Sequence, residues 1–308
     1  MISFGIVVAF VAEIVAYSLL CAILWKIRLF GMPIGAAAAS LVTLLLAARA
    51  AIAPLSFTAA WLWGTPRPLE LRLRWPRAIA MVAAETGAFL IAIFLLMPFA
   101  RRLTLQRRGH VRATSQPPVL FLHGYGANSG VWAPMLRSLS ARGVANLFTI
   151  DLEPRFGSID AHAQQVAALV TRLCSTTRSP KVILVAHSMG GLVARAYVER
   201  CGGTSRVAKV ITIATPHHGS LLARFAPGAN GAQMRPGSAW LDDLNREENT
   251  SHDVRYVSIY SAHDNMVVPY ASAELGKARN ILFPARGHFD LLFCKDVGQI
   301  VYRELTGH

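Results

Sequence analysis

Charge and cysteine are both scarce in this sequence of 308 residues. Charged residues make up only 16% of the chain while 53% is hydrophobic, a balance that is unusual for a wholly soluble protein. The four cysteines show no metal-type spacing with histidine, and the three that lie beyond the N-terminal apolar region form no even-numbered disulfide framework. We therefore predict no metal site and no cofactor.

Basic residues outnumber acidic ones by 31 to 17, which gives a net charge of +14. We do not expect a nucleic-acid partner, because the arginines cluster beside apolar runs, a pattern typical of anchoring to anionic lipid. They precede or follow the third run: Arg67, Arg72, Arg74, Arg77, Arg101, Arg102, Arg107, Arg108 and Arg112. The sequence thus predicts a membrane as partner.

Three apolar runs occupy residues 3–25, 33–63 and 78–100. At ~1.5 Å per residue, the first and the third are long enough to cross a hydrocarbon layer of ~30 Å. A cleaved secretory signal is disfavoured for the first run, because no positive residue precedes it while Lys26 and Arg28 follow it.

The second run carries Arg49 and Pro54. An arginine at mid-bilayer costs roughly 2.5–3.5 kcal/mol, so a membrane-surface or re-entrant segment is the alternative to a span. We expect a span, because the surrounding apolar residues offset this cost and Arg49 can pair with Glu13 or Glu85 inside a helical bundle. Residues 1–100 are therefore predicted to form an all-α transmembrane region of two or three helices.

The distribution of basic residues predicts an orientation. With three spans, the first loop and the segment after the third run share a side and carry seven basic residues, against four in the second loop. The positive-inside rule then places the C-terminal domain in the cytoplasm, as part of a bacterial inner-membrane protein. A basic linker is predicted over 101–117.

From residue 118 to 308, short aliphatic runs alternate with helix-like stretches, which predicts an α/β domain with a doubly wound, mostly parallel sheet. The predicted strands are 118–122, 146–151, 181–186, 208–214, 255–261 and 279–283. The predicted helices are near 130–142, 159–175, 189–201, 270–276 and 290–305. Residues 217–253 interrupt this alternation and are predicted to form a lid or acyl-binding cap, with a packed surface excursion as the alternative.

The segment Ala186-His187-Ser188-Met189-Gly190 directly follows an apolar run and predicts a nucleophile elbow. A serine at a tight turn between a strand and a helix has its hydroxyl lifted clear of the sheet edge, which suits acyl transfer. The usual pattern has glycine two residues before the serine, and Ala186 is still small enough for the crowded turn.

A serine hydroxyl needs an imidazole to take its proton and a carboxylate to orient that imidazole. Asp264 and His288 follow late predicted strands, in the required order of serine, acid and histidine, so we predict that they complete a catalytic triad with Ser188. Other nearby acids fit helix faces or a helix cap: Asp242, Asp243 and Asp290.

Backbone N–H groups must also stabilise the oxyanion of the tetrahedral intermediate. We assign this role to Met189, which follows the serine, and to Tyr125 in the loop after the first strand. Side chains and backbone beside these positions are predicted to contact the substrate: His123, Gly124, His187, His217 and Trp240.

These motifs resemble the α/β-hydrolase superfamily and, within it, the bacterial triacylglycerol lipases and esterases. The resemblance covers about 117–305 and rests on residues 121–126, 186–191, 214–220 and 235–238, with Asp264, Val268-Pro269 and Gly287-His288. It implies the α/β-hydrolase fold and the same roles for the triad and the oxyanion donors. The N-terminal membrane region departs from the secreted lipases of this group, and acidic spacing does not indicate the calcium site of some relatives.

The resemblance and the apolar N-terminus together lead us to expect a membrane-anchored serine hydrolase that cleaves carboxylic esters of lipids, as a lipase, esterase or lysophospholipase does. One alternative is a thioesterase that removes acyl groups from proteins or carrier thiols. An alternative of another class is a catalytically inactive membrane scaffold with a hydrolase fold.

Overall fold

A computed structural model describes residues 34–105, 116–247 and 254–307, together with Ser18, Leu19 and Ala22. Within this part of the chain, six parallel strands form one sheet in the order β2-β1-β3-β4-β5-β6. The strands are β1 Val119–Leu122, β2 Leu147–Ile150, β3 Val182–His187, β4 Val207–Ile213, β5 Arg255–Ser261 and β6 Ala278–Phe283. Each predicted strand end lies within one residue of the observed one.

Helices cover both faces of the sheet. Besides short 3-10 turns, they are α1 Ile34–Trp63, α2 Trp75–Ile91 with a π-helical continuation Ala92–Leu96, α3 Ala100–Leu105, α4 Ala133–Ala141, α5 Ile159–Thr177, α6 Met189–Arg200, α7 Gly228–Gln233, α8 Ala239–Glu247, α9 Asp290–Phe293 and α10 Lys295–Thr306. One core cluster joins α5 and α6 to the sheet, and the other joins α4 and α10 to its opposite face. The predicted doubly wound α/β architecture is thus confirmed.

Two predicted helices differ from the observed ones. Residues 270–276 form only a 3-10 turn, Tyr270–Ala273, which ends at the extended residue Glu274. The predicted helix 290–305 is divided into α9 and α10, because Cys294 between them has extended backbone angles, φ −69° and ψ 122°.

The order of the strands locates the functional edge. The chain leaves β1 toward β2 on one side and then crosses to β3 on the other, so β1 and β3 are adjacent at the point where the winding reverses. Ligands in open α/β sheets bind outside the carboxyl ends of the strands at such a switch point. The loop at His123 and the elbow at Ser188 both begin there.

The N-terminal apolar helices α1 and α2 pack together. Two segments, Val42–Trp63 and Trp75–Leu96, are long and apolar enough to cross a membrane, and only 6% and 22% of them are buried by protein. The first predicted run, 3–25, lies outside the described residues apart from Ser18, Leu19 and Ala22. The predicted linker begins with α3, and residues 106–115 are outside the described part of the chain.

The insertion at 217–253 contains α7 and α8, and residues 248–253 are not among those described. Its side chains Leu241 and Leu244 are buried in the core beside α6. Arg195 of α6 also donates to the Asn245 side chain at 2.9 Å. The described part of the insertion is therefore packed onto the domain, and a movement of it as a lid stays a prediction.

Candidate active site

Ser188 lies at the sharp turn between β3 and α6. Its φ is 54° and its ψ is −128°, a positive φ that residues other than glycine rarely adopt. The backbone N–H of Ser188 donates to the carbonyl oxygen of Ile213 at 2.9 Å, which ties the strained turn to β4. Strain of this kind costs about 1–3 kcal/mol and is often kept at functional sites, where it turns a side chain outward.

Small residues make this turn possible. A side chain at Gly190 would place its Cβ 2.6 Å from the carbonyl oxygen of Leu122 and 2.7 Å from that of His123. A Cβ at Gly191 would overlap the side chain of Thr215. Ala186 is fully buried in β3, so alanine fits where the usual pattern has glycine.

The predicted base and acid are in direct contact. Nδ1 of His288 lies 3.0 Å from both carboxylate oxygens of Asp264. Oδ1 of Asp264 also accepts from the backbone N–H groups of Met266 at 2.7 Å and Val267 at 2.9 Å. Because Asp264 and His288 are 3% and 4% exposed, little solvent weakens this contact.

The surroundings of His288 favour its protonated form. Burial alone lowers the pKa of this imidazole, but the nearby charge and the hydrogen bond of Asp264, with the charge of Glu85, outweigh burial and raise the pKa above its ordinary value. The contact with Asp264 also leaves Nε2 as the ring nitrogen available for a proton from a nucleophile.

His187 connects the turn at Ser188 to His288. Its ring centroid is 4.6 Å from that of His288, and its Nε2 lies 3.2 Å from the carbonyl oxygen of His288. Burial and the charge of His288 hold the pKa of His187 well below its usual range, so this ring is neutral. Since His187 directly precedes Ser188, its packing brings the imidazole of His288 beside the turn at Ser188.

The loop after β1 lies against the serine. A Cβ at Gly124 would be only 2.8 Å from Cβ of Ser188, so the chain at this position passes directly over the serine. Tyr125 follows, and its hydroxyl donates to the carbonyl oxygen of Pro227 at 2.8 Å. Met189 opens α6, where the first N–H groups of a helix have no partner within the helix.

His123 holds the shape of this loop. Its Nδ1 lies 2.9 Å from the carbonyl oxygen of Gly124, while its Nε2 accepts from the backbone N–H of Leu152 at 3.0 Å. Burial lowers the pKa of His123, consistent with the neutral tautomer that this pattern requires. The imidazole therefore supports the loop from within, whereas we had predicted a substrate contact.

His217, a second predicted substrate contact, also lies elsewhere. Its side chain is fully buried, and Nε2 is 3.1 Å from Oγ1 of Thr212 on β4. Its position after a strand suggested the cleft, but the chain direction turns its imidazole into the core.

Trp240 packs beside the C-terminal end of α6. Its indole N–H donates to Asp160 at 2.6 Å, and its ring lies 5.2 Å from the guanidinium of Arg200. Arg200 ends the 12-residue helix that Ser188 precedes. At 1.5 Å per residue this is a separation of about 18 Å along the helix axis. The indole N–H of Trp240 is thus used within the protein, and a substrate contact of this residue stays a prediction.

Two residues that the sequence analysis did not identify as part of the site hold the loop that contains His288. Oδ1 of Asn265 accepts from the backbone N–H of His288 at 2.9 Å, and its Nδ2 donates to Ser56 of α1 at 2.7 Å. Glu85 of α2 accepts from the N–H groups that follow His288. Asn265 directly follows Asp264, and this adjacency could have indicated that it belongs to the site. No local sequence pattern connects Glu85 with Phe289, which is 204 residues away. Among the described residues, no group of three or more His, Cys, Asp or Glu side chains is arranged to hold a metal ion.

Part of the chain is similar to known proteins. Residues 117–235 match the family model for the α/β hydrolase fold. Over 125 residues the chain is 34% identical to triacylglycerol lipases from Pseudarthrobacter phenanthrenivorans and Burkholderia plantarii. Each alignment covers 37% of this chain, but only 37% and 33% of the respective lipase. The chain therefore matches about a third of the length of these curated relatives.

Solved structures show the same fold at low identity. Mature Bacillus licheniformis lipase BlEst2 superposes with a TM-score of 0.55 and 20% identity over 64% of this chain and 94% of that lipase. Aspergillus fumigatus lipase B gives a TM-score of 0.57 and 18% identity over 65% of this chain and 56% of that protein. The parallel sheet, its strand order and these matches show that the C-terminal part of the chain has the α/β-hydrolase fold.

Proposed function

We propose that this chain is a membrane-anchored serine hydrolase that cleaves carboxylic esters of lipids. The observation that carries the proposal is the buried His288–Asp264 pair, packed through His187 against the strained turn of Ser188. This arrangement has the nucleophile, base and orienting acid of acyl transfer in their expected order.

In the proposed reaction, Oγ of Ser188 attacks the ester carbonyl carbon as Nε2 of His288 takes its proton. Backbone N–H groups of Tyr125 and Met189 stabilise the oxyanion. Collapse of this intermediate breaks the ester bond, and the departing alcohol takes the proton from His288. Water then attacks the acyl-enzyme with His288 again as base, which releases the carboxylic acid and regenerates the serine.

Three observations support a lipid substrate. The two relatives at 34% identity are named triacylglycerol lipases. The apolar helices of the chain are largely uncovered by protein. A cavity of about 980 Å³ lies between α1, α2 and His263, with Trp61, Met81 and Arg67 among its lining residues. Because His263 precedes Asp264, this apolar cavity reaches the neighbourhood of the triad.

The proposed location is the bacterial inner membrane, with the hydrolase domain on the cytoplasmic side. The basic residues that flank the apolar helices support this orientation, because such residues are retained on the cytoplasmic side. An anchored enzyme would meet its substrate in the plane of the bilayer.

An activity panel on the full chain in detergent tests the function. Oxyesters of increasing acyl length, phospholipids, lysophospholipids and acyl thioesters are compared for turnover. We expect oxyester hydrolysis that Ser188→Ala abolishes and that Ser205→Ala, an exposed serine beyond α6, leaves unchanged. Thioester turnover well above oxyester turnover would favour the thioesterase alternative. A folded chain that neither turns over esters nor reacts with a fluorophosphonate probe at Ser188 would contradict the enzymatic proposal.

A further inference from the structure

The hydrolase domain contacts the chain both before and after helix α2. Before the helix, Nε of Arg67 donates to the carbonyl oxygen of Ala262 at 2.6 Å. After the helix, the carbonyl oxygen of Met97 accepts from the side chain of Asn128 at 2.9 Å. The domain therefore contacts the loop that precedes α2 and the residue that follows its π-helical continuation.

The middle of α2 is attached as well. The carboxylate of Glu85 is 1% exposed and accepts from the backbone N–H of Phe289 at 2.9 Å and from that of Asp290 at 2.8 Å. The rings of Phe89 and Phe289 meet edge to face at 5.4 Å. Since these contacts lie between the two end contacts, α2 runs along the surface of the domain.

The two faces of α2 differ accordingly. Residues at helical spacing are buried on one face: Met81, Glu85, Ala88 and Ala92. The opposite face presents apolar side chains that the described part of the chain leaves open, with Ile79, Ile91 and Leu95 exposed by 66%, 41% and 57%. An apolar helix face left open in this way needs an apolar partner.

A transmembrane path does not fit these contacts. The segment Trp75–Leu96 has 22 residues, and a helix of this length extends about 33 Å. If it crossed the bilayer, the loop at Arg67 and the segment at Met97 would lie on opposite sides, and a polar domain on one side would contact only one of them. The structure has both in contact with the same domain.

The charges around α2 indicate which apolar partner covers it. Arginines stand before the helix and after it, and all of them face the same side if α2 lies in the membrane plane: Arg67, Arg72, Arg74, Arg77, Arg101 and Arg102. Trp61 and Trp75, exposed by 73% and 83%, stand at the same end of the hairpin. Tryptophan and arginine together are typical of the headgroup layer of an anionic leaflet.

We propose that residues 51–97 form an in-plane membrane-binding surface, which seats the hydrolase domain on one leaflet of an anionic bilayer. This inference rests on the proposed membrane attachment and replaces the predicted crossing of α2, so that the loop 64–74 lies on the same side as the domain. The loops that contact this surface follow β1, β5 and β6. The loop after β1 contains the proposed oxyanion donor Tyr125, and the loops after β5 and β6 contain Asp264 and His288. The proposed active site therefore faces the lipid from which its substrate would come.

Cysteine labelling of the full chain in membrane vesicles of known orientation tests the topology. Leu69→Cys reports the loop before α2, and Asp242→Cys reports the hydrolase domain; both positions are exposed. The wild-type chain gives the background of the native cysteines. We expect a membrane-impermeant maleimide to label both variants from the same side. Labelling from opposite sides would overturn the in-plane arrangement.

Spin labels at Ile79, Ile91 and Leu95 provide a second measurement that does not depend on the loop variant. In the plane of one leaflet the three labels have similar depths, whereas in a span positions 79 and 95 differ by about 24 Å. A graded depth would contradict the inference. Failure of the wild-type chain to float with vesicles that contain anionic lipid would instead overturn the membrane attachment itself, while esterase turnover is judged separately.

Discussion

The carboxylate of Glu85 lies within hydrogen-bond distance of the backbone N–H of Phe289, the residue that follows the proposed base His288. A second hydrogen bond reaches Asp290, and the close approach is possible because Gly287 has no Cβ, which would overlap the carboxylate. An apolar N-terminal helix thus fixes the backbone on both sides of the histidine. Misplacement of a catalytic group by ~1 Å can cost about a hundredfold in rate.

We therefore predict that Glu85→Ala lowers kcat by about tenfold to a hundredfold with little change in KM. Glu85→Gln should recover much of this loss, because its amide oxygen still accepts from the loop. Glu70→Gln, an exposed acid before α2, is the charge-matched control. The low-field proton resonance of His288 Nδ1–H should weaken in Glu85→Ala. A lower melting temperature with unchanged kcat and an unchanged resonance would show that Glu85 stabilises the fold but does not position His288.

Asp264→Asn tests the acid. The amide retains the size of the carboxylate but can orient the imidazole in the wrong tautomer, and in a serine hydrolase this costs about 10⁴-fold in kcat. We expect a loss of this order for ester hydrolysis. Asp242→Asn, on the exposed face of α8, should leave kcat unchanged. Near-normal turnover of Asp264→Asn would show that another group orients His288.

The pKa of His288 predicts how activity depends on pH. Burial lowers this pKa, but Asp264, with a smaller contribution from Glu85, raises it above the ordinary histidine value of about 6.5. Only the neutral imidazole can take the proton of Ser188, so activity should fall as pH falls through this raised pKa. The acid limb of kcat/KM should therefore lie above pH ~6.5 in the wild-type chain.

The same measurement on Asp264→Asn gives the control. Removal of the carboxylate charge leaves burial as the main influence on His288, so the acid limb should move to lower pH. The rate of fluorophosphonate labelling can follow this limb even where turnover is slow. An acid limb at the same pH in both proteins would mean that a group other than His288 controls it.

The sequence was sufficient to predict the parallel sheet and two polar residues, Asp264 and His288, that meet at its edge. Short, uncharged, β-branched runs that alternate with helix-like stretches, such as the one at Val182–His187, favour buried parallel strands, and the structure has their ends within one residue of the predicted ones. Strand order then brings Asp264 and His288 to the same edge, where the structure has them 3.0 Å apart. Position after a strand does not fix side-chain direction, which is why the imidazole of His217 could be placed in the cleft although it points into the core.

The contacts of the N-terminal helices could not be predicted. Hydropathy shows whether a helix is long and apolar enough to lie in lipid, and the 22 residues Trp75–Leu96 meet that criterion. It does not show whether one face of the helix packs on protein. Glu85 was a signal in the sequence, because a lone acid in an apolar helix requires a partner. Its partners are backbone N–H groups more than 200 residues away, which no residue type identifies.

Two glycines give a matched test of the elbow. In α6, the Cβ of Gly190→Ala would lie 2.6 Å from the carbonyl oxygen of Leu122, and overpacking of this kind costs about 1–3 kcal/mol. In α10, a Cβ at Gly298 meets nothing within 4 Å, so Gly298→Ala should stabilise by about 0.5–1 kcal/mol. We expect melting temperatures to shift in opposite directions, and only Gly190→Ala to lose turnover. A neutral Gly190→Ala would show that the turn can relax away from β1.

Trp240→Phe separates a substrate contact from a structural one. The variant removes the indole N–H that donates to Asp160 at 2.6 Å, a loss of about 0.5–1.5 kcal/mol in the free energy of unfolding. Because Trp240 packs beside Arg200 at the far end of α6, the KM for long-chain esters should stay within about twofold of the wild-type value. A twofold change corresponds to a difference of ~0.4 kcal/mol in binding free energy. Thermal unfolding and KM are measured on the same preparation. A several-fold rise in KM that grows with acyl length would mean that the acyl chain extends along α6 to the insertion.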